Sequence, residues 1–361
     1  VSSNPNVLLI AADSVPAHRL GCYGRAASLS PCLDSLAAGG VLCESFISAA
    51  IPAPVSFAGL IGGQHPVALG MATKETVAEL PFGTTLLPQF FLDAGYTTCA
   101  FDNLRRHWHW AGRGWEFYVD PGLRHKRAAT GRELNLRVIP WLRTNAQERF
   151  FLNVHYQDPA LASGTDEAVG ALDGLVQELI SALTDLRLLQ KTLIVFVACE
   201  GDRHAPGPLS DLRLRVPLIF NWAGRLGAGF RLKEMFQTED LAPTLLQSAG
   251  LPIPSSMKGL GFWKLVTEEQ PGGGRDKVFS ADCSGAPAWS LRTADRKAVL
   301  SGMPGCNSVE LFDRTADPGE NRNIAAEQPG VADSMRSDLE TWITASLEEL
   351  ARNESFLFDD D

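Results

Sequence analysis

The sequence predicts an α/β fold: a mostly parallel central sheet with helices on both faces, followed by a small C-terminal antiparallel sheet with a helix. Three observations lead there. The chain opens on a continuous apolar run ending in a carboxylate, Asn6-Val-Leu-Leu-Ile-Ala-Ala-Asp13, which is the pattern of a strand buried on both faces of a parallel sheet. Strand-like runs then alternate with stretches of helical periodicity, so crossover helices must cover the sheet. After residue 265 the texture changes to short strands and one terminal helix.

In chain order, Ser30 to Ala38 reads as a helix stopped by Gly39-Gly40, because glycine takes the backbone conformation that ends a helix. Thr84 to Ala94 is another helix, ended by Gly95, and it leads into a strand from Tyr96 to Phe101. Phe150 to His155 is a third strand. Apolar residues recur at helical spacing from Ala168 to Leu189 and feed a fourth strand, Thr192 to Val197; Val216 to Phe220 is a fifth. Gly272-Gly-Gly274 marks a linker or exposed loop. Beyond it, Lys277 to Ala281, Ala288 to Thr293 and Lys297 to Leu300 are short strand candidates, and Val331 to Leu350 is a helix. The expected division is a main domain over 1–265 and a small α+β subdomain over 266–361.

With 361 residues, 45% of them hydrophobic, the chain can bury a large core. A net charge of −10 argues against capture of nucleic acid or of an anionic membrane surface. Part of that charge sits in the acidic tail Phe356 to Asp361. No segment approaches the ~20 apolar residues that span a bilayer. No basic stretch followed by an apolar run opens the chain, so no signal peptide is visible, although a start at Val1 leaves room for a trimmed leader. The seven cysteines (22, 32, 43, 99, 199, 283 and 306) are scattered, odd in number and without a CxxC pair. That usage favours reduced thiols in a cytoplasm-like compartment.

Seven blocks in order resemble the sulfatase family of the alkaline phosphatase-like superfamily. They are Asn6 to Ala37 with Asp13-Ser14 and Leu20-Gly-Cys-Tyr-Gly24; Ser56 to Pro66; Leu86 to Phe101; His155-Tyr-Gln-Asp-Pro159; Leu193 to Asp202 with Leu214 to Leu218; Thr238 to Pro252; and Glu310 to Asn321. The resemblance implies the fold already predicted and an ancestral sulfuric ester hydrolase. Such chemistry needs a strong nucleophile, a hard cation to gather charge on the sulfuryl oxygens, and cationic side chains to complete the clamp.

By that resemblance the nucleophile is a formylglycine made from the Cys or Ser that opens a Cys/Ser-x-Pro-x-Arg motif. The matching window here is Ala53-Pro-Val-Ser-Phe57. Ala53 stands at the nucleophile and Phe57 replaces the arginine, removing a charged fork that binds oxyanions. The metal positions become Asp13, Ser14, Cys199 and Glu200, and a thiol is a poor ligand for a calcium-like ion. Ala160 follows Asp158-Pro159 where the family usually has a histidine, and the segment after Phe101 carries Asn103 but no lysine. Ala53, Ser56, Phe57, Asn103 and His155 are thus the ancestral pocket positions.

Several readings stay open at this stage. Asp13 is a metal ligand or a cap of the following turn. Asp13, Cys199 and Glu200 form a soft zinc site with His204 or His155, or no site. Ser56 is a substitute nucleophile or a helix cap, and His155 is a sulfate contact or a loop hydrogen bonder. Arg105-Arg106-His107-Trp108-His109-Trp110 is a ligand or partner surface, or a partly buried aromatic loop. The sequence favours a sulfatase-like protein that has lost formylglycine-dependent hydrolysis and serves as a binding or partner module. No cofactor is expected, with zinc or another divalent ion the exception to watch. The expected partner is an active sulfatase-like relative or a second copy. The rival readings are a repurposed hydrolase or transferase on sulfate or phosphate esters, and an ordinary sulfatase.

Overall fold

The computed structural model describes residues 4–71, 79–157, 165–207, 209–269, 272–302, 305 and 309–355. Its strands are β1 (Asn6–Ser14), β2 (Val41–Ile47), β3 (Ala50–Ile51), β4 (Thr97–Phe101), β5 (Phe117–Val119), β6 (Phe150–Tyr156), β7 (Thr192–Glu200), β8 (Arg215–Asn221), β9 (Phe230–Gln237), β10 (Val278–Asp282), β11 (Ala288–Arg292), β12 (Arg296–Ser301) and β13 (Val309–Asp313). Eight of them build the main sheet in the order β5-β4-β6-β1-β7-β8-β2-β9. Neighbours run parallel except at β8, which is antiparallel to β7 and to β2. β1 occupies the middle, and Val7 through Ala11 are wholly buried. Its unbroken apolar run follows from helices covering both faces, so no alternation is needed.

Helices at Pro31–Ala38, Leu87–Asp93, Gly131–Thr144, Asp166–Asp185 and Leu241–Ser248 cover the sheet. The helix expected to reach Leu189 stops at Asp185, and Arg187 at φ 57° turns the chain into a short 3-10 segment over Leu189–Lys191. Helix Ala53–Gly62 is buried along its whole length, which small residues permit. A Cβ on Gly59 would stand 2.8 Å from Pro66 Cγ.

The small antiparallel sheet forms as expected over β10 to β13, but β3 extends it by pairing parallel to β10. The subdomain therefore takes a strand from just ahead of Ala53, so the N-terminal and C-terminal parts interlock at the site. Helix Pro329–Ser355 packs on this sheet, with Trp342 stacked on Phe279 at 4.7 Å and His65 edge-on at 4.6 Å. Lys297 Nζ on β12 reaches Glu320 Oε2, after β13, at 2.9 Å, and buried ion pairs tie the sheet to the segment after β7, where Asp211 meets Arg292 at 3.0 Å and Arg314 at 2.9 Å. No helix among the described residues is long and apolar enough to cross a membrane.

Candidate functional site

β1, β6 and β7 end side by side, and their register decides which side chains share a face. Ala11 stands opposite both His155 and Val197, and Ser14 opposite Glu200. Because the pleat alternates, Asp13, His155 and Cys199 fall on one face, while Ser14 and Glu200 fall on the other. Helix Ala53–Gly62 packs against β1 and β7, and its Phe57 ring lies 4.5 Å from the His155 ring. Asp13, Phe57, His155 and Cys199 thus converge with the head of the Ala53 helix. The four expected metal positions do not converge: they split into two pairs on opposite faces.

Each side chain has a physical role. His155 Nε2 lies 3.0 Å from Asp13 Oδ1, with the ring turned so that neither nitrogen makes a well-directed hydrogen bond among the described residues. Gln157 Nε2 approaches the same oxygen at 3.5 Å. Asp13 therefore faces side chains of β6 and its continuation and does not cap the turn. The Cys199 thiol is fully buried, and burial first, then the Asp13 and Glu200 carboxylates, push its pKa well above the ordinary range. Glu200 is 1% exposed; Arg213 Nε donates to its Oε1 at 2.6 Å, and Arg203 Nη2 stands 3.7 Å from Oε2. Backbone bonds from Gly201 N to Arg213 O (2.7 Å) and from Asp202 N to Leu212 O (2.8 Å) fold Arg213 back onto Glu200. Ser14 Oγ donates to Gly201 O at 2.6 Å.

Other expectations need correction. Ser56 is wholly buried, and its hydroxyl sits 2.9 Å from Ser48 Oγ. The residue at the helix cap is Pro52, so Ser56 neither caps the helix nor opens to solvent. Asn103 does line the cleft with Asp13, as expected of a pocket position, with its amide held by backbone: Oδ1 accepts from Ala129 N at 2.8 Å and Nδ2 donates to Ala129 O at 3.2 Å. Trp110 is 1% exposed and belongs to the core rather than to a surface. Arg105 turns to the Tyr118 ring, 5.7 Å from its centroid. His204 is exposed in a turn, with its backbone N–H on Asp202 Oδ1. Ala160 and the tail from Phe356 lie outside the described residues.

Arg106, His107 and Trp108 do reach the site. They line a cleft of about 350 Å³ with Asp13, Pro54, Gln157 and the segment 126–128. Arg106 is paired with Asp120, and Arg127 with Glu133. Lys126, Gln157 and Arg213 were not among the sequence candidates. Gln157 could have been found, since it follows His155 by two residues just past the end of β6, whereas Lys126 and Arg213 arrive only through the spatial return of the chain, for which local pattern carries no signal.

Residues 5–159 match the sulfatase family model, and residues 209–348 match the model described as N-sulphoglucosamine sulphohydrolase, C-terminal. The chain belongs to the sulfatase family. It is similar to human arylsulfatase A, 26% identical over 473 residues, covering 98% of this chain and 92% of that protein. Dog N-acetylgalactosamine-6-sulfatase is 26% identical over 331 residues, covering 70% and 63%. Rat arylsulfatase K is 25% identical over 186 residues, covering 47% of this chain and only 33% of its own length. Among solved structures, BT4656 in complex with its substrate D-glucosamine-2-N,6-O-disulfate superposes with TM-score 0.79 at 15% identity, covering 97% and 99%. BT1596, a 2-O GAG sulfatase, gives 0.79 at 18%, covering 95% and 92%. These likenesses show the shared fold.

The sulfatase resemblance implies a hard divalent cation, which takes about six or more oxygen ligands. The donors here do not fit one. Asp13 is the retained carboxylate on the cleft face, Glu200 is neutralised by Arg213 on the other face, and the Ser14 hydroxyl is spent on a carbonyl. Among the described residues no group of three His, Cys, Asp or Glu is placed to hold a metal.

Proposed function

We propose that this member of the sulfatase family binds a small ligand in the old catalytic cleft without hydrolysing sulfate esters. The observation that carries the reading is Ala53. It heads the buried helix at the position the family gives to its nucleophile, and a methyl group can neither be oxidised to an aldehyde nor attack sulfur. The nearest hydroxyl in that helix, Ser56, is held against Ser48 in the core. A sulfated sugar is the first ligand to try, because the structurally similar BT4656 is described with one. The test is to titrate the protein with D-glucosamine-2-N,6-O-disulfate while assaying free sulfate. Binding without sulfate release supports the reading, and release of sulfate refutes it.

A repurposed hydrolase or transferase has one observation in its favour, the Asp13–His155 contact at 3.0 Å, a carboxylate–imidazole pair at the floor of a cleft. Against it, the imidazole is wholly buried, so Asp13 alone of the two reaches the cleft. A partnership with an active relative or a second copy, and a reducing, cytoplasm-like setting, belong to the same proposal.

A further inference from the structure

We infer that the cleft takes a zwitterionic small molecule, with its ammonium group on Asp13 and its anionic group at Lys126. The inference rests on the non-hydrolytic reading above. In a sulfatase whose floor holds a divalent cation, the floor attracts the anionic end of a substrate. Here the donors do not fit such an ion, and what faces the cleft at its floor is the Asp13 carboxylate, 15% exposed. A sulfate placed there would meet like charge, which disfavours binding in a partly desolvated cleft.

The walls carry the same preference. Trp108, half-buried, lines the cleft that Asp13 floors. An aromatic face beside a carboxylate is the pairing that recognises ammonium groups. At the rim the charge has the opposite sign. Arg106 and Arg127 are already matched by Asp120 and Glu133. Lys126 is exposed, stands in the left-handed region at φ 51°, and forms no ion pair among the described residues. An anion alone would be repelled by the floor, and a cation alone would leave the rim lysine unmatched. A molecule with both groups satisfies each end. A cleft of about 350 Å³ is near the small end of ligand pockets, which start at roughly 300 Å³, so the ligand is of monosaccharide or amino-acid size.

The test compares three probes by calorimetry, with free sulfate measured in the same samples: D-glucosamine 6-sulfate, D-glucose 6-sulfate and D-glucosamine-2-N,6-O-disulfate. D-glucosamine 6-sulfate should bind the wild type more tightly than either of the others by about ten- to a hundredfold, the span of one charge-assisted hydrogen bond. Asp13→Asn, checked for folding by its thermal melt, should erase that preference, and Lys126→Ala should weaken D-glucosamine 6-sulfate while leaving the amine preference in place. Equal or tighter binding of D-glucose 6-sulfate or of the disulfate overturns the inference but leaves the binding-module reading standing. Failure of all three probes to bind also overturns it. Sulfate release by the wild type overturns the non-hydrolytic reading instead, which separates the two failures.

Discussion

Removing the guanidinium that sits on Glu200 is the sharpest structural perturbation available. Glu200 is 1% exposed, with Arg213 at 2.6 Å and Arg203 at 3.7 Å. Arg213→Met deletes the near cation and keeps most of the stem. Breaking a buried pair on one side costs about 3–5 kcal/mol because the remaining charge is left desolvated. Arg203 still compensates part of it, so the low end, about 3 kcal/mol, is expected. For a chain of this size each kcal/mol moves the melting midpoint by about 2 °C or less, giving a drop of roughly 5 °C. Urea unfolding of the wild type, Arg213→Met and the double variant Arg213→Met/Glu200→Gln measures this. The double variant should recover most of the loss, since it buries no charge. A single-variant cost under about 0.5 kcal/mol, the level of an ordinary surface change, would mean that Glu200 has another counter-charge. If calcium then restored the single variant above wild type, the argument against a metal role for Glu200 would fail.

Thermal melting of the wild type should be indifferent to millimolar calcium, magnesium or zinc, whereas an ion at a hundred times its Kd adds about 2.7 kcal/mol; a clear upward shift would show a functioning metal site. Ala53→Cys, expressed with formylglycine-generating machinery, should release no sulfate, because Phe57 fills the site beside His155; turnover by this one change would show the rest of the site intact. His65 has its pKa lowered to about 4, chiefly by burial against the helix carrying Trp342. The unfolded chain then binds more protons than the native one from about pH 6.5 down to 4, so stability falls with pH across that window, by about 2 kcal/mol between pH 7.5 and 5. His65→Gln should flatten this slope in paired urea titrations, and an unchanged slope would place the titration elsewhere.

The legible part of the fold was its middle. β1, β4, β6, β7 and β8 stood out because strands covered on both faces read as continuous apolar runs. β2 and β9 escaped notice because they lie toward the sheet's edge and carry Glu44, Ser45, Arg231, Lys233 and Glu234. In β9 the alternation is confined to its first half, where Leu232 is buried between Arg231 and Lys233, before Met235, Phe236 and Gln237 are all buried. Helix Gly131–Thr144 was missed, although Thr130 and Glu133 form a capping box at its start, a spacing that can be read from sequence.

At the site, Asp13, His155 and Cys199 were legible because each closes a strand in a sheet whose chemistry gathers at strand ends. The split of the metal positions was legible in principle, since Asp13–Ser14 and Cys199–Glu200 are adjacent residues and a pleat sends neighbours to opposite faces. The pairing of Glu200 with Arg213 was not legible. It depends on the chain returning through Gly201 and Leu212, which no local period encodes. Trp110 was misread because its motif neighbours are polar, while a 3-10 turn directs it into the core.

The central claim, a sulfatase fold that binds without hydrolysing, is tested most directly under single-turnover conditions. Stoichiometric protein is incubated with an aryl sulfate and with D-glucosamine-2-N,6-O-disulfate, and free sulfate is quantified by ion chromatography. The account predicts no sulfate above the protein-free control for either compound, with or without calcium. Release approaching one equivalent per chain, lost in Asp13→Asn, would contradict it.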